Sequence, residues 1–331
     1  MKKKLAILMY DDLKKLIKKG EVIDRYYNPN NFFHEIHFYL INQKKITSFD
    51  LKKMCGNADV YIYNFEIGLI QKILLFFYLF NFSKNLIKII NHIKKNNPDL
   101  IRCYNINYQI FIAEILQRKY NLRYIVSLHY DLYNHLKKKN FIFKLIFNFR
   151  VTKVLKKAYK ILPVYDSATR YLKYQKIKNY IITYNFINSR LSYITDKKMN
   201  KTPNFVCTNR QDPEKNPINI IKAVEKIPNV KLTIIGNGPL NSYLQGYVKS
   251  KNLENRIFFI KSIKNDNYMK ILKNFDAFIS CTYINEFSKG MIEAMASSLP
   301  IIVNHQGIKI KELSKKFSLL NSDSCLGYKK S

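Results

Sequence analysis

Three short segments in the second half of the chain hold residue types that suit a charged, phosphorylated ligand. The first is Asn209-Arg210-Gln211-Asp212-Pro213-Glu214-Lys215-Asn216, which falls between an apolar strand pattern and a helical one. Two cations beside the open N–H groups of a helix start can hold a diphosphate. The second is Ile234-Ile235-Gly236-Asn237-Gly238-Pro239, where glycines let the backbone turn sharply and let a ligand come close. The third is Asn285-Glu286-Phe287-Ser288-Lys289-Gly290-Met291-Ile292-Glu293-Ala294-Met295-Ala296, followed by Leu299-Pro300-Ile301-Ile302-Val303. Its loop can present N–H groups to phosphate, and a carboxylate at Glu293 can accept both ribose hydroxyls of a nucleotide. Each segment has a plainer reading: a solvated charged loop, an ordinary strand-to-helix turn, and a surface acid. The small residues flanking Glu293 argue for a tightly packed helix and weaken the last of these.

Elements must bring these segments together. Around them the second half alternates strands (Phe205–Thr208, Val230–Ile235, Ile257–Ile260, Ala277–Ser280, Ile301–Val303) with helical spacing. Ile218, Ile221, Val224 and Ile227 make one stripe, and Leu240, Tyr243, Leu244, Tyr247 and Val248 make another. A further helix runs from Lys289 to about Ser297. That alternation specifies a doubly wound parallel sheet, which binds ligands at the carboxyl ends of its strands. The first half follows the same rhythm. Its strands are Leu5–Met9, Ile36–Leu40, Val60–Tyr63, Leu100–Tyr104, Tyr124–Leu128, Ile161–Val164 and Ile181–Thr183. Its helices are Leu69–Phe80, Leu86–Ile93, Ile110–Arg118 and Phe141–Leu155. The polar run Asp196–Pro203 has no periodicity and reads as a linker, dividing the chain into residues 1–196, a linker at 197–203 and residues 204–331.

The 331 residues suffice for two such cores. Five scattered cysteines lack metal-ligand spacing and suit a reducing cytoplasm. The opening Met1-Lys2-Lys3-Lys4 and its apolar run are cut short at Tyr10-Asp11-Asp12, so a buried strand is expected rather than a signal sequence. The apolar stretch Ile67–Phe80, interrupted by Gln71 and Lys72, is too short to span a bilayer and reads as a buried or interfacial helix. No zinc, P-loop or Ser-His-Asp signature is present.

Fifty-seven basic against 23 acidic residues give a formal charge of +34. That excess suits nucleic acid, anionic lipid or acidic substrates, and AT-rich coding that favours Lys, Asn, Ile, Tyr and Phe accounts for it equally well. One stretch, Lys137 to Arg150 and on to Lys157, mixes cations with Phe, Ile and Leu. It reads either as an interfacial helix on an anionic membrane or as a core helix with a Lys-rich outer face.

Taken in order, the Arg-x4-Lys pair, the Gly-x-Gly-Pro turn and the Glu-Ala-Met-Ala helix with its Pro-Ile-Ile-Val strand resemble the donor domain of retaining family-4 glycosyltransferases (glycosyl transferases group 1) over about residues 204 to 307. The resemblance implies the α/β GT-B fold: two Rossmann-like doubly wound domains facing each other across a cleft, an acceptor-side domain first and a nucleotide-sugar donor domain second. It implies transfer of a sugar from a nucleotide sugar to a glycan or lipid-linked acceptor with retention, without a metal or other cofactor. It also implies a cytoplasmic protein, peripheral on the inner face of the membrane. Arg210 and Lys215 then hold the donor diphosphate and Glu293 the ribose, in a donor-binding set of Arg210, Lys215, Gly236, Gly238, Phe287, Ser288, Lys289 and Glu293.

The sequence departs from the family pattern in two places. The first Glu of the family's Glu-x7-Glu element falls on Asn285, with Glu286 beside it. Either Glu286 substitutes through a shifted loop, or activity is reduced, or donor choice is altered. The chain is also about one helix–strand–helix shorter after this point than the family pattern, a truncation or a short variant. In the first half, Asn97–Ile101 and Tyr184–Asn188 resemble family segments more loosely. His129, in Ser127-Leu128-His129-Tyr130-Asp131 at a strand end, joins Asn285 and Glu286 as a candidate near the reacting sugar, with a structural histidine as the alternative.

Overall fold

A computed structural model of the chain describes residues 2–10, 12–18, 22–42, 46–137, 139–185, 187, 199–282, 288–304 and, by backbone alone, 325–328. The described elements run β1 (Lys4–Met9), α1 (Leu13–Lys18), β2 (Glu35–Ile41), α2 (Ser48–Cys55), β3 (Asp59–Phe65), α3 (Leu69–Phe76), α4 (Lys84–Asn96), β4 (Leu100–Tyr104), α5 (Gln109–Tyr120), β5 (Tyr124–Leu128), α6 (Leu132–Lys137), α7 (Phe141–Lys157), β6 (Lys160–Pro163) and α8 (Arg170–Tyr174). They continue with β7 (Asn204–Thr208), α9 (Pro217–Glu225), β8 (Lys231–Ile235), α10 (Asn241–Ser250), β9 (Ile257–Ile260), α11 (Asn265–Leu272), β10 (Ala277–Ser280), α12 (Lys289–Ala296), β11 (Ile301–Asn304) and β12 (Cys325–Tyr328).

The chain divides into two compact units, one ending at Tyr184 and the other beginning at Asn185. Each holds a six-stranded parallel sheet, in the order β3-β2-β1-β4-β5-β6 and β12-β11-β10-β7-β8-β9. Numbered from its own first strand, each sheet reads 3-2-1-4-5-6, the doubly wound order whose direction reverses between the first and fourth strands. The expected α/β class with two parallel sheets is therefore present. Most of the linker expected at 197–203 is described, whereas residues 188–198 lie outside the described residues.

Central strands are buried on both faces, as in β1, because helices cover a parallel sheet on both sides. In the first unit, Leu5, Ile7, Phe38 and Leu40 pack against Leu51 and Met54 of α2. In the second, Cys207, Leu232 and Ile234 pack against Ile220, Ile221 and Val224 of α9 and Leu244 and Val248 of α10. Local signals start and stop the helices. Thr47 and Asp50 form a capping box on α2, Ser83 Oγ accepts the Leu86 N–H of α4, and Asn140 Oδ1 accepts the Phe143 N–H of α7 at 2.8 Å. Asn97 and Asn121 close α4 and α5 in the left-handed conformation.

Two expectations are corrected. Ile181–Thr183 is not a strand of the sheet. Ile181 N–H reaches Ile161 O and Thr183 N–H reaches Pro163 O, but only one bridge, Ile161 with Tyr180, is made. Pro163 has no N–H to donate back, so the ladder stops. The helix expected over Leu69–Phe80 ends at Phe76, because Tyr78 takes a left-handed φ of 64° and the chain turns to bury Phe80. Cys325–Tyr328, in the polar tail, pairs parallel with β11 as β12. Among the described residues no helix is long and apolar enough to cross a membrane.

Candidate functional site

In the second unit a cavity of about 600 Å³ opens at the carboxyl ends of β7, β8 and β9, against the N-terminal turn of α12. Arg210, Gly236, Lys289, Gly290 and Glu293 line it together with Thr208, Asn209, Asn265 and Tyr268. It therefore lies beside the reversal point between β7 and β10, where the doubly wound sheet leaves a crevice.

The turn carrying Arg210 is fastened to the glycine turn after β8. Asn209 N–H donates to Ile235 O, Gln211 N–H to Asn237 O and Leu240 N–H to Gln211 O, at 3.0–3.1 Å. The buried Gln211 side chain completes the seam, donating from Nε2 to Gly236 O at 2.8 Å and accepting from Asn241 Nδ2 at 2.7 Å. This contact explains both glycines. Gly236 has φ 138°, and a Cβ there would overlap Asn209 O; a Cβ at Gly238 would overlap the Gln211 backbone. They serve close packing of backbone on backbone and so fix where Arg210 leaves the chain. The guanidinium itself is exposed and makes a 3.7 Å surface pair with Asp212.

Opposite, Ser288 Oγ accepts the Met291 N–H at 3.2 Å and caps α12. The N–H groups of Lys289 and Gly290 in this first turn have no intrahelical acceptor and carry the positive end of the helix dipole. Glu293, one turn on, is buried. Its Oε1 accepts from Asn265 Nδ2 at 2.7 Å and lies 3.5 Å from Lys289 Nζ. A cation and an amide on one oxygen fix the orientation of this buried carboxyl group. Tyr268 forms the adjacent wall. Its hydroxyl accepts from Thr208 Oγ1 at 3.0 Å, and burial, reinforced by the Glu293 charge, keeps the phenol protonated well above its ordinary range.

Arg210, Gly236, Lys289 and Glu293 thus share one pocket, with Ser288 as the cap of its helix and Gly238 as packing beneath it. Lys215 is not among the described residues that line the pocket. It sits on the turn before α9, where Thr282 Oγ1 donates to Glu214 O at 3.1 Å and ties that turn to the end of β10. Asn285, Glu286 and Phe287 lie outside the described residues.

His129 belongs to the first unit, just past β5. Its N–H donates to Asn105 Oδ1 at 3.0 Å, and its ring stacks on Tyr104 at 5.8 Å. Burial and the Arg102 charge push the imidazole down to about 4, so it is neutral at physiological pH, and its Nε2 is buried without a hydrogen-bond partner among the described residues.

Sequence reasoning misses Asn265 and Tyr268. They sit at i and i+3 on α11, whose buried Tyr268, Met269 and Leu272 are the one signal for it. The polar run Lys264-Asn265-Asp266-Asn267 hides the helix.

Residues 193–316 match the family model described as Glycosyl transferases group 1. The chain is 33% identical over 81 residues to an uncharacterized glycosyltransferase, MJ1059, of Methanocaldococcus jannaschii, a match over 24% of this chain and 20% of that protein. The chain thus spans only about a fifth of that relative's length. Among solved structures, it is similar to sucrose-phosphate synthase (tll1590) from Thermosynechococcus elongatus, with TM-score 0.69 and 14% identity over 98% of this chain and 86% of that one. It is also similar to Anabaena Alr3699/HepE in complex with UDP, with TM-score 0.72 and 13% identity over 99% and 86%. These likenesses define the class: the chain has the GT-B fold of glycosyltransferases. The expected resemblance holds at the level of the group-1 glycosyltransferases, in the segment that carries the pocket.

Proposed function

We propose that the chain is a hexosyltransferase that moves a sugar from a nucleotide-sugar donor to a glycan or lipid-linked acceptor, with retention, in the synthesis of cell-surface polysaccharide or lipopolysaccharide. The observation that carries this reading is the meeting of Arg210, the first turn of α12 and the buried Glu293 on the wall of one pocket. In this reading Glu293 accepts the ribose hydroxyls. Arg210, Lys289 and the α12 amides take the diphosphate, with Lys215 approaching from the β10 side. Cations and dipoles already in place stabilise the departing nucleoside diphosphate as its charge develops, and this needs no metal for that charge. His129, neutral and with an unpaired ring nitrogen, is the group of the first unit assigned to the acceptor side, and Asn285 and Glu286 are assigned to the donor sugar. The complex of the structurally similar Alr3699/HepE with UDP supports a uridine nucleotide as the first donor to try.

A thermal-shift series with UDP, ADP, GDP and UDP-glucose tests the site. A nucleotide at about a hundredfold over its Kd adds ~2.7 kcal/mol to the folded state and raises Tm by a few degrees. Arg210→Ala is expected to abolish the shift without altering the melt of the unliganded protein. No shift with any nucleotide would sink the proposal.

Asn285, uncharged where the family has Glu, favours a second reading: a relative that binds nucleotide sugar with impaired transfer. Release of nucleoside diphosphate from mixed donors in the presence of a lipid extract separates the two.

A further inference from the structure

The outer surface of the first unit carries large apolar side chains that its core does not use. On α3 and the turn after it, Leu69, Ile70, Ile73, Phe77 and Phe82 are between 49% and 80% exposed, and Leu75 is the one buried residue of that helix. On the first half of α7, Phe141, Ile142, Leu145, Ile146 and Phe149 are likewise exposed, and the residues this helix buries are Val151, Val154 and Leu155. Arg150 joins the two stretches. Its Nε donates to Phe76 O at 2.6 Å, its guanidinium lies 4.8 Å over the Phe111 ring, which Phe76 meets edge-on, and it pairs with the buried Glu114 at 2.6 Å. That bond sets the end of α3 beside α7, so the exposed Phe77 and Phe149, each next in sequence to one of its partners, lie on neighbouring segments. Large exposed apolar side chains gathered on neighbouring helices mark an interaction site on a protein surface.

Charge indicates what it meets. Residues 67–98 and 132–165 contain no Asp or Glu. The exposed side of α7 changes along its length from Phe and Ile to Lys153 and Lys156. At the other border Arg118 stacks on Tyr78 at 4.2 Å and Lys119 on Phe80 at 4.6 Å, and both line a shallow cavity of about 530 Å³ with Lys157. A second copy of the chain is a poor occupant, since a two-fold contact would set these cations against themselves. The 17-residue α7, with Lys144, Arg150 and Lys153, is too short and too charged to cross a bilayer, and its pattern suits the interface.

We propose that this face seats on an anionic phospholipid bilayer. The phenyl and aliphatic groups of α3 and α7 enter the headgroup–acyl boundary, and Arg118, Lys119, Lys153 and Lys156 meet the lipid phosphates. It deepens the membrane expectation attached to residues 137–157 by adding α3 and the Arg118–Lys119 border. It does not depend on sugar transfer.

The chain has no Trp, so Phe149→Trp and, as a control in the second unit, Tyr243→Trp each create a single reporter. With vesicles containing about 30% phosphatidylglycerol, the Phe149→Trp emission is expected to shift to the blue and to be quenched by brominated acyl chains, with Tyr243→Trp unchanged. Partition into purely phosphatidylcholine vesicles is expected to be at least about tenfold weaker, as is partition of a Phe77→Ser/Phe141→Ser/Phe149→Ser variant into the anionic vesicles. The thermal melt and UDP shift of that variant, read in parallel, report on folding and on the nucleotide site separately. Absence of the blue shift, equal partition of a folded triple variant, or a dimer that the triple variant disperses without any vesicle binding would each overturn the proposal.

Discussion

Glu293, one turn into α12 and buried, and His129, half-buried just past β5, are polar groups whose surroundings differ. Glu293 has a lysine and an amide on one oxygen, which fix the position of its carboxyl group on the pocket wall. Burial of the His129 ring, and then the Arg102 charge, suppress its charge, and its Nε2 has no hydrogen-bond partner among the described residues. The sign of the consequence follows. An imidazole lowered from 6.5 to about 4 favours the folded state above pH 6.5, and that contribution is lost as pH falls through the window from 6.5 to 4. The full loss is on the order of 3 kcal/mol at most. A proton NMR titration is expected to place the His129 midpoint near 4. Urea unfolding of His129→Phe is expected to weaken less than the wild type across that window; equal slopes would mean His129 titrates normally.

At the scale of elements, asparagine takes positions where glycine is usual. Eight of the twelve left-handed non-glycine residues among those described are Asn, including the C-caps Asn97 and Asn121. Asn is the non-glycine residue that best tolerates this conformation, so part of a biased composition has been put to structural use. Asn121→Ala is expected to destabilise by about 1 kcal/mol, whereas Asn121→Gly leaves stability unchanged or higher; chemical denaturation of the pair checks it. Strands read well from sequence wherever both faces are buried, because a short apolar run bounded by polar residues has few alternatives. Leu100–Tyr104, Tyr124–Leu128, Ile257–Ile260 and Ala277–Ser280 have the bounds their residues suggest. Elements failed to read where a single backbone fact decides them, as at Pro163 and Tyr78, or where the packed side is only a few residues wide, as on α11.

For the whole molecule, the charge of +34 has to be placed before it is interpreted. The structure places cations around a cavity in one unit and beside exposed apolar helices in the other. Duplex binding is therefore expected to be independent of sequence and no tighter than a Kd of about 10⁻⁶ M at about 0.15 M salt, with a steep salt dependence. Gel shifts of two unrelated duplexes across a salt series test this; tight, sequence-dependent binding would restore the nucleic-acid reading.

The sequence by itself determined the two alternating α/β halves and the strand, turn and helix signals beside the cavity, because apolar periodicity, glycines and helix caps act over a few residues. Only the tertiary structure decided that Gly236 and Gly238 serve the Arg210 turn, that Asn265 and Tyr268 complete the Glu293 wall, and that α3 ends beside α7. Those facts depend on contacts between segments far apart in the chain: Asn209 with Gly236, Asn265 with Glu293, Phe76 with Arg150. Sheet order and packing bring such pairs together, and no local pattern encodes them.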